Sequence, residues 1–491
     1  MSLLKKLAGE TAIYGLSHIL SRVLLFIVFT FYLTRRFDGD ATEYGIYTDM
    51  YSYAAVILTI LVFRMDTAFF RYGSKGDLQK VFNTGFIGVL GFCIIVLVLL
   101  LTNIDWFSSI LRYEESPHYI KWFAYILVLD AITALVFARL RLQSRPIRFM
   151  VYKFINVGLT LILVLAFLEF LPKYFPTQFE QLNSMLGVTR QIDYVFFANL
   201  LASGAVVLAM LPEFKTFRFT FEYPLFKKML WYALPLVAVA LAGNINQAFA
   251  APLQKYFLGN DILENLANAG VYGAAAKLAI LLNLFTTAFN YAAEPFFFNN
   301  SDRKDSLEVY GKVALAFTIV ACLATLGLIF YIDIIILLLG DTYRSGINVV
   351  PILLFAYVFL GLYYNVSIWY KLKDKTYIGA LISFMGAFIT ILISLLLLPK
   401  IGTIASAWAA LACYVSMVIV GYFIGQKYYP VHYPVKKILF YIGATVVLSI
   451  SALLLRPIMG VSIAYFSTIT AILLVVVFGL YKTEWKKLMH D

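Results

Sequence analysis

Long apolar stretches alternate with short polar connections along the whole chain. There are fourteen such stretches of about 20 residues each, long enough for a helix to cross the ~30 Å hydrocarbon core of a bilayer. Backbone groups inside a bilayer have to hydrogen-bond to one another, so these stretches are predicted to be transmembrane helices. Their approximate bounds are 11–33, 44–66, 82–102, 118–138, 149–170, 193–212, 229–250, 270–292, 311–331, 345–367, 377–398, 402–424, 436–455 and 460–481.

The connections between the predicted helices are too short to hold a second folded domain. The longest runs from about residue 171 to residue 192. Membrane glycosyltransferases and ligases usually need a sizeable external loop with catalytic acids, so this class of protein is disfavoured. The function must then be carried by the helical bundle itself. This favours transport over chemistry, and the chain is not predicted to be an enzyme.

The Lys and Arg residues are distributed unevenly between alternate connections. About 25 lie at the two termini and on the even-numbered connections, and about 10 lie on the odd-numbered ones. The positive-inside rule places the richer set in the cytoplasm. We therefore predict a multi-pass protein of the bacterial inner membrane with both termini in the cytoplasm. The poorer set consists of Arg35, Arg36, Arg112, Lys121, Lys173, Arg190, Lys255, Arg344, Lys400 and Arg456.

Composition agrees with a membrane protein. Apolar residues make up 62% of the chain and charged residues 13%, whereas a soluble protein carries about 25% charged residues. The net charge of +12 does not indicate nucleic-acid binding, because the basic residues lie at membrane boundaries. All three cysteines lie inside apolar stretches, so no disulfide framework is predicted. The first stretch lacks a small-residue cleavage site and is predicted to remain as a span.

A short repeat relates the two halves of the chain. Gly45 and Tyr47 open the second span, and Gly270 and Tyr272 open the eighth span in the same arrangement. Both pairs follow an outward-facing connection and begin an inward-running helix, so the two halves have the same membrane orientation. Parallel repeats are a transporter architecture in which the substrate site lies between the halves.

Arg22 is a charged residue near the middle of the first span, with His18 and Ser21 close to it on the same helix. A charge at this depth costs about 2.5–3.5 kcal/mol, so it usually faces a partner or a cavity. Two hypotheses are open for Arg22. It forms an internal ion pair with Asp130 of the fourth span, or it lines a cavity and binds an anionic substrate. The two are compatible if the pair opens when substrate arrives.

Other ionisable residues lie nearer the ends of their spans. Lys277, about two turns inside the eighth span, either snorkels to the outer interface or lines the cavity. Arg64 and Asp66 lie near the cytoplasmic end of the second span, where snorkelling or mutual pairing is expected. The acids available to bind a coupling ion or to form an internal ion pair are Asp66, Asp130 and Glu294.

Polar side chains recur at helical spacing on the eighth span. Asn283, Thr287, Asn290 and Glu294 form one stripe, and a helix with a single polar stripe in a membrane faces water or a polar neighbour. The seventh span has a polar outer end. Gln247 at that end lies 225 positions after Arg22, the same spacing that separates Gly45 from Gly270, so the repeat aligns Gln247 with Arg22. The polar residues predicted to line a cavity are His18, Ser21, Asn244, Asn246, Gln247, Asn283 and Asn290.

The sequence contains no recognisable nucleotide-binding or metal-binding motif. The sequence has no glycine-rich phosphate loop followed by Lys and Ser or Thr, and its four histidines are widely separated. No cofactor, metal or catalytic residue is therefore predicted. The driving force for transport would be an ion gradient, the membrane potential or the gradient of the substrate itself.

These features resemble the polysaccharide (O-antigen or exopolysaccharide) flippase family of the multidrug/oligosaccharidyl-lipid/polysaccharide (MOP) exporter superfamily. One matching segment is EYGIYTDMYSYAAVILTILVFRMDTAFFRYGS, residues 43–74. The second is YALPLVAVALAGNINQ, residues 232–247, which contains Pro235. The third is AGVYGAAAKLAILLNLFTTAFNYAAEPFFF, residues 269–298, in which Pro295 is expected to follow the eighth helix. With the fourteen spans, the resemblance covers essentially the full length.

The resemblance implies an architecture and an activity. Two six-helix lobes related by a parallel pseudo-twofold axis, residues 1–212 and 213–424, would form a V around a central cavity. Residues 425–491 would hold spans 13 and 14 and a cytoplasmic tail. Such proteins move an undecaprenyl-diphosphate-linked oligosaccharide from the cytoplasmic to the outer leaflet by alternating access, during cell-surface polysaccharide biosynthesis. The implied partners are this glycan and the lipid bilayer, with polysaccharide polymerase or chain-length machinery as further candidates.

The resemblance also implies roles for individual residues. Basic cavity residues are expected to hold the diphosphate, and Arg22 is the best match to that role, with Lys277 and Arg64 as weaker ones. Unlike some relatives, this chain has no acid in its seventh or eleventh span, so a coupling-cation site in that lobe is not expected.

Two alternatives of the same superfamily remain open. A lipid II flippase shares the fourteen-span plan, and residues alone do not separate it from an oligosaccharide flippase. A multidrug cation antiporter usually has twelve spans and an acidic cavity, whereas this chain has fourteen predicted spans and more candidate cations.

Overall fold

The computed structural model describes residues 29–74, 76–301, 303–373, 375–480 and 482, and regular structure in this part of the chain is helical. The first helices are α1 (Phe29–Arg36), α2 (Ala41–Val62), α3 (Met65–Gly73), α4 (Leu78–Thr102), α5 (Ile104–Ile110), α6 (His118–Leu142), α7 (Pro146–Leu165), α8 (Leu171–Tyr174), α9 (Pro176–Leu186), α10 (Gln191–Ala209) and α11 (Tyr223–Ala248). The later helices are α12 (Ala250–Phe257), α13 (Ile262–Asn299), α14 (Ser306–Phe330), α15 (Ile332–Ile335), α16 (Val349–Val366), α17 (Ile368–Leu372), α18 (Thr376–Ile401), α19 (Ile404–Tyr428), α20 (Val435–Met459) and α21 (Ile463–Leu480).

Membrane-spanning length and hydropathy recur along this order of helices. Within the described residues, 13 helical segments are long and apolar enough to cross a bilayer. They coincide with the second to fourteenth predicted spans. The first predicted span, 11–33, lies outside the described residues except for its last five, which belong to α1. The prediction of an all-α, multi-pass membrane protein is confirmed.

The chain contains two compact units. Unit 1 includes residues 42–255 and 261–270 together with 29–33, and unit 2 includes 34–41, 256–260 and 271–480. In unit 1, α4 packs on α6, α10 packs on α6 and α7, and α11 packs on α3 and α4. Phe69, Phe82, Leu135 and Met229 are buried in its apolar core. In unit 2, α19 lies between α16 and α18, and α14 packs on α16, α20 and α21.

The contact-defined units differ from the lobes implied by the resemblance. Helix α11 packs within unit 1, although the repeat makes it the first helix of the second half. Compactness and internal repetition are separate properties of a chain. The lobe bounds 1–212, 213–424 and 425–491 therefore stay a prediction.

The second span is broken near its C-terminal end, where the sequence predicts one continuous helix. α2 ends at Val62 and α3 begins at Met65, and the two residues between them have positive φ angles, 32° for Phe63 and 55° for Arg64. Non-glycine residues rarely adopt this left-handed region, because Cβ approaches the carbonyl oxygen there. The predicted span 44–66 is therefore divided between α2 and the first two residues of α3.

One further prediction about a helix bound is wrong. The eighth span was expected to end near residue 292, before Pro295, but α13 continues through Pro295 to Asn299. A proline inside a helix removes one backbone hydrogen bond, and neighbouring helices in a membrane protein tolerate that loss. The connection at 171–192, which was predicted to be too short for a second domain, contains the short helices α8 and α9.

Gly45, a residue of the repeat motif, has a clear packing role in unit 1. A Cβ atom added to it would lie 1.8 Å from the carbonyl oxygen of Leu266. Glycine is thus required where α2 meets the N-terminal part of α13. Packing therefore explains the glycine in the first of the two Gly-x-Tyr occurrences, the one in the second span.

Candidate functional site

Asp130 lies on α6 within a chain of polar side chains in unit 1. Its Oδ1 accepts a hydrogen bond from Ser203 Oγ of α10 at 3.0 Å, and Ser203 Oγ lies 3.3 Å from Asn199 Oδ1. Asn199 Nδ2 in turn donates to the phenol oxygen of Tyr51 on α2. Ser203 therefore contacts the carboxylate directly, and Asn199 and Tyr51 extend the polar chain from α10 to α2. The predicted partner Arg22 lies outside the described residues, as do His18 and Ser21.

Arg64 and Asp66 flank the start of α3 but are not paired with each other. Among the described residues no ion pair joins them, and Asp66 Oδ1 instead lies 3.5 Å from Thr67 Oγ1. The Nε atom of Arg64 is buried and has no hydrogen-bond partner in this part of the structure. The expected mutual pairing is therefore not formed. Arg64 remains a half-buried cation at a break in a transmembrane helix.

Helix α13 presents its predicted polar stripe beside a buried face in unit 2. Leu278, Leu282 and Thr286 are exposed by 2% or less, whereas Asn283 and Asn290 are half-buried. Thr287 is half-buried as well. Lys277 is also half-buried and lies roughly a third of a turn from the stripe. Polar groups thus occupy the side of α13 that the core of unit 2 does not cover.

The C-terminal end of the stripe is held by an ion pair. Glu294 Oε2 lies 2.9 Å from Lys371 Nζ of α17, and both side chains are partly exposed. Lys371 belongs to a predicted cytoplasmic connection. Of the two roles predicted for Glu294, the structure shows the ion pair.

At the polar C-terminal end of α11 in unit 1, some polar side chains pack against another helix and others are exposed. Asn244 Nδ2 donates to Ala55 O at 3.0 Å and to Thr59 Oγ1 at 2.7 Å, so this amide joins α11 to α2. Asn246 is 9% exposed, whereas Gln247 is exposed. Among these three residues Gln247 is the one whose side chain is accessible to a substrate.

Unit 1 contains a buried charge pair that was not predicted from the sequence. Lys255 Nζ of α12 lies 2.9 Å from Asp49 Oδ2 of α2, and neither side chain has exposed surface. Tyr113 donates its hydroxyl to the same Oδ2 at 2.7 Å, and Lys255 Nζ also donates to Leu111 O at 2.5 Å. Burial lowers the pKa of the Lys255 ammonium, and the charge of Asp49 opposes that shift.

This pair has a signal in the sequence, because Asp49 is an acid inside the second span. Lys255 was instead assigned to the outward connections as an ordinary topological charge. No sequence pattern joins an acid in one span to a lysine some two hundred residues later. The pair connects α2, the 111–113 segment and α12, so it is best described as structural.

Comparisons with known proteins add the identity of the fold. No family profile matches the sequence, and no curated protein matches it. Among solved structures, the lipid II flippase MurJ in an inward closed conformation superposes with a TM-score of 0.71 at 14% identity, covering 97% of this chain and 99% of that one. The chain has the fold of MurJ. A MATE family multidrug transporter of the MOP superfamily, in an inward-facing conformation, has a TM-score of 0.57 at 14% identity and covers 87% of this chain and 94% of that one.

A third similar structure is MATE in complex with MaD3S, with a TM-score of 0.56, 12% identity and coverage of 85% of this chain and 95% of that one. Identities at this level establish a shared fold and leave the substrate open. The MurJ-like fold agrees with the all-α, multi-pass fold class that the sequence predicts.

Proposed function

We propose that this protein is a flippase that moves an undecaprenyl-diphosphate-linked oligosaccharide from the cytoplasmic to the outer leaflet of the bacterial inner membrane by alternating access. Both termini would lie in the cytoplasm. The observation that carries the proposal is the extent of the MurJ-like fold, which includes 97% of this chain. The likeness to MATE transporters covers 85–87% of it.

Cations in the spans support a substrate that carries phosphate. Lys277 and Arg64 are half-buried in membrane helices of the described chain, and the proposal adds Arg22 of the first predicted span. Burying a cation in a membrane is costly, and an anionic ligand offsets that cost. Arginine suits a diphosphate particularly well because its planar guanidinium forms two parallel hydrogen bonds.

Polar amides support a sugar as the remainder of the substrate. A glycan is neutral and rich in hydroxyls, so amide side chains can replace its hydration inside a membrane protein. The stripe of α13 supplies Asn283 and Asn290, and α11 supplies Gln247. The polyprenyl tail would stay in lipid while these residues solvate the head group.

A multidrug cation antiporter fits the same residues less well. A cationic drug needs acids to bind it, and the sequences of α11 and α18 contain no Asp or Glu. Glu294 is engaged by Lys371. Asp130 is the acid that we assign to a proton or cation in a span, because its carboxylate ends a chain of polar side chains that begins with Ser203.

A lipid II flippase is the second candidate, and the likeness to MurJ is the observation that favours it. Lipid II also carries a diphosphate and a polyprenyl tail, so Lys277 and Arg64 would serve it equally well. The two candidates differ in the glycan alone, and a substrate comparison separates them.

Export in cells tests the proposal. In a strain lacking this protein, lipid-linked oligosaccharide should accumulate on the cytoplasmic leaflet and surface polysaccharide should disappear. Wild type should restore export, Lys277→Gln should lower it at least tenfold with normal protein levels, and Lys277→Arg should keep part of it. Lys400→Gln, which removes an exposed lysine from α18, is the matched control and should export normally. Normal surface polysaccharide in the deletion strain, with arrested peptidoglycan synthesis, would favour lipid II instead.

A further inference from the structure

The cytoplasmic half of α11 borders an apolar groove on unit 1. Phe226, Leu230, Leu234 and Val237 recur at helical spacing and form one wall. The groove encloses about 720 Å³, and each of its lining residues is apolar. The other lining residues are Ile60 and Phe63 beside the α2–α3 break, Ile87, Gly88, Gly91, Phe92 and Ile95 of α4, and Phe221.

The depth of the groove matches one leaflet. Eleven residues separate Phe226 from Val237, a helical rise of about 16 Å. The hydrocarbon core of a bilayer is ~30 Å thick, so the groove covers about half of it. The groove begins at the end of α2 and the start of α11, which the charge distribution assigns to the cytoplasmic side. It ends just past the middle of α4 and α11, at Ile95 and Val237.

Two glycines of α4 shape the groove in different ways. A Cβ atom added to Gly88 would lie 2.1 Å from the ring of Phe226, so glycine lets this ring pack against the helix backbone. Gly91 lies one turn further on, is exposed, and has no atom within 4 Å of the position a Cβ would take. Any larger side chain at position 91 would project into open space in the groove.

A basic pocket lies on the adjoining face of α11. Its cavity of about 560 Å³ is lined by Tyr72, Pro224, Lys227, Lys228, Trp231 and Tyr232. Both lysines and Trp231 are exposed. Arg71 adds a third cation, with its guanidinium carbon 4.3 Å from the centre of the Tyr232 ring.

Within the described residues, neither Lys227 nor Lys228 forms an ion pair. The acid that precedes α11, Glu222, lies 2.6 Å from Lys80 Nζ and is paired there. Exposed lysines beside a tryptophan at the membrane boundary are typical of contact with anionic lipid head groups. The groove and the pocket thus offer a hydrocarbon surface and a cationic surface side by side on one helix.

We propose that the groove and the basic pocket together form a loading site for a polyprenyl diphosphate at the cytoplasmic leaflet, with the chain in the groove and the diphosphate at Lys227 and Lys228. This inference rests on the proposed function and adds a place where the substrate docks before transport. The single groove fits a lipid with one chain, whereas a phosphoglyceride has two. The three cations match a diphosphate better than the single charge of a phosphodiester.

Photo-crosslinking of purified, reconstituted protein tests the site. The probe is undecaprenyl diphosphate with a photoreactive group on its chain, and labelled peptides are identified by mass spectrometry. We expect labelling of the α4 segment 87–95, competed by unlabelled undecaprenyl diphosphate. Gly91→Leu should lower this labelling at least fivefold, because its side chain fills the groove. Gly158→Leu is the matched control, since Gly158 of α7 also has nothing within 4 Å of its Cβ position.

The lysines are tested with a paired probe. Lys227→Gln combined with Lys228→Gln should weaken labelling by the diphosphate probe and leave labelling by the corresponding uncharged polyprenol unchanged. Full labelling of Gly91→Leu would overturn the proposal. So would labelling of the same peptide by photoreactive phosphatidylglycerol that undecaprenyl diphosphate does not displace, because a resident phospholipid would then be the occupant.

The outcomes separate this site from the proposed function. If Gly91→Leu loses the labelling of segment 87–95 but still flips a lipid-linked oligosaccharide at the wild-type rate, the loading site alone is rejected. Labelling that follows the expected pattern in a protein that flips no such lipid would reject the proposed function alone.

Discussion

Lys255 and Asp49 show how much a single buried charge depends on its partner. Both side chains are fully buried, and their charges are compensated by each other, by the Tyr113 hydroxyl and by Leu111 O. A buried ion pair is a weak source of net stability, but the removal of one partner leaves the other charge uncompensated. The two residues should therefore be strongly coupled in any measurement of stability.

Lys255→Met should destabilise the protein by about 3–5 kcal/mol, because Asp49 would remain buried without a cation. Thermal unfolding of the purified protein in detergent measures this change. Adding Asp49→Asn should recover most of the loss. Lys121→Met, at an exposed lysine, is the control and should change stability by less than about 0.5 kcal/mol. Equal stability of Lys255→Met and wild type would contradict the buried pair.

At the scale of elements, the break between α2 and α3 places a strained backbone beside a candidate substrate cation. Phe63 and Arg64 both have positive φ angles. A left-handed residue with a side chain costs about 1–2 kcal/mol, and such strain is concentrated at functional sites. The break also brings Phe63 to the wall of the apolar groove. Backbone conformation and charge at position 64 can be varied separately.

Arg64→Gly and Arg64→Val separate these two contributions. Both remove the cation, so both should lower export of lipid-linked oligosaccharide. Glycine tolerates a positive φ and valine does not, so Arg64→Val should be the less stable of the two by about 1–2 kcal/mol. Thermal unfolding and export are measured in parallel. Normal export by Arg64→Gly would show that Arg64 does not act on the substrate, whereas equal stability would show that the break is absent.

Hydropathy was sufficient to predict the thirteen spans found in the described chain, because bilayer thickness sets both their length and their composition. It could not predict the break at Phe63 and Arg64, because neither residue is a glycine or a proline, the residues that usually mark a helix break. It also could not predict the end of α13, since a proline in a membrane helix can be tolerated. Hydropathy also does not distinguish polar residues that pack against another helix from those that are exposed. Asn244 and Gln247 could therefore not be told apart from the sequence.

At the scale of the whole molecule, the distribution of basic residues makes a testable statement about topology. Reporter fusions after Lys215 and after Lys482 should read cytoplasmic, and a fusion near Gln178 should read external. An external reading after Lys482 would imply an odd number of spans. That result would contradict the parallel repeat, whereas an external reading after Lys215 would contradict the cytoplasmic placement of the loading site.

The membrane potential is a sufficient driving force for the proposed transport. Moving about two negative charges outward from an inside-negative cell is favoured by about 2.3 kcal/mol per charge per 100 mV. The total, roughly 4–5 kcal/mol, corresponds to a bias of about 10³-fold if both charges cross the full field. A cavity cation that moves outward with the substrate would halve it. We therefore expect export without obligatory sodium or proton exchange.

Flipping of an undecaprenyl-diphosphate-linked oligosaccharide in proteoliposomes is the decisive measurement of the proposed transport. The potential is set by potassium and valinomycin, with sodium absent and no pH gradient. We expect protein-dependent flipping that rises with the potential and falls in Lys277→Gln vesicles. A strict need for a sodium or proton gradient would overturn the proposed driving force and point to Asp130 as the coupling acid. No flipping above protein-free vesicles under any gradient, with lipid II or a cationic drug transported instead, would contradict the proposed function.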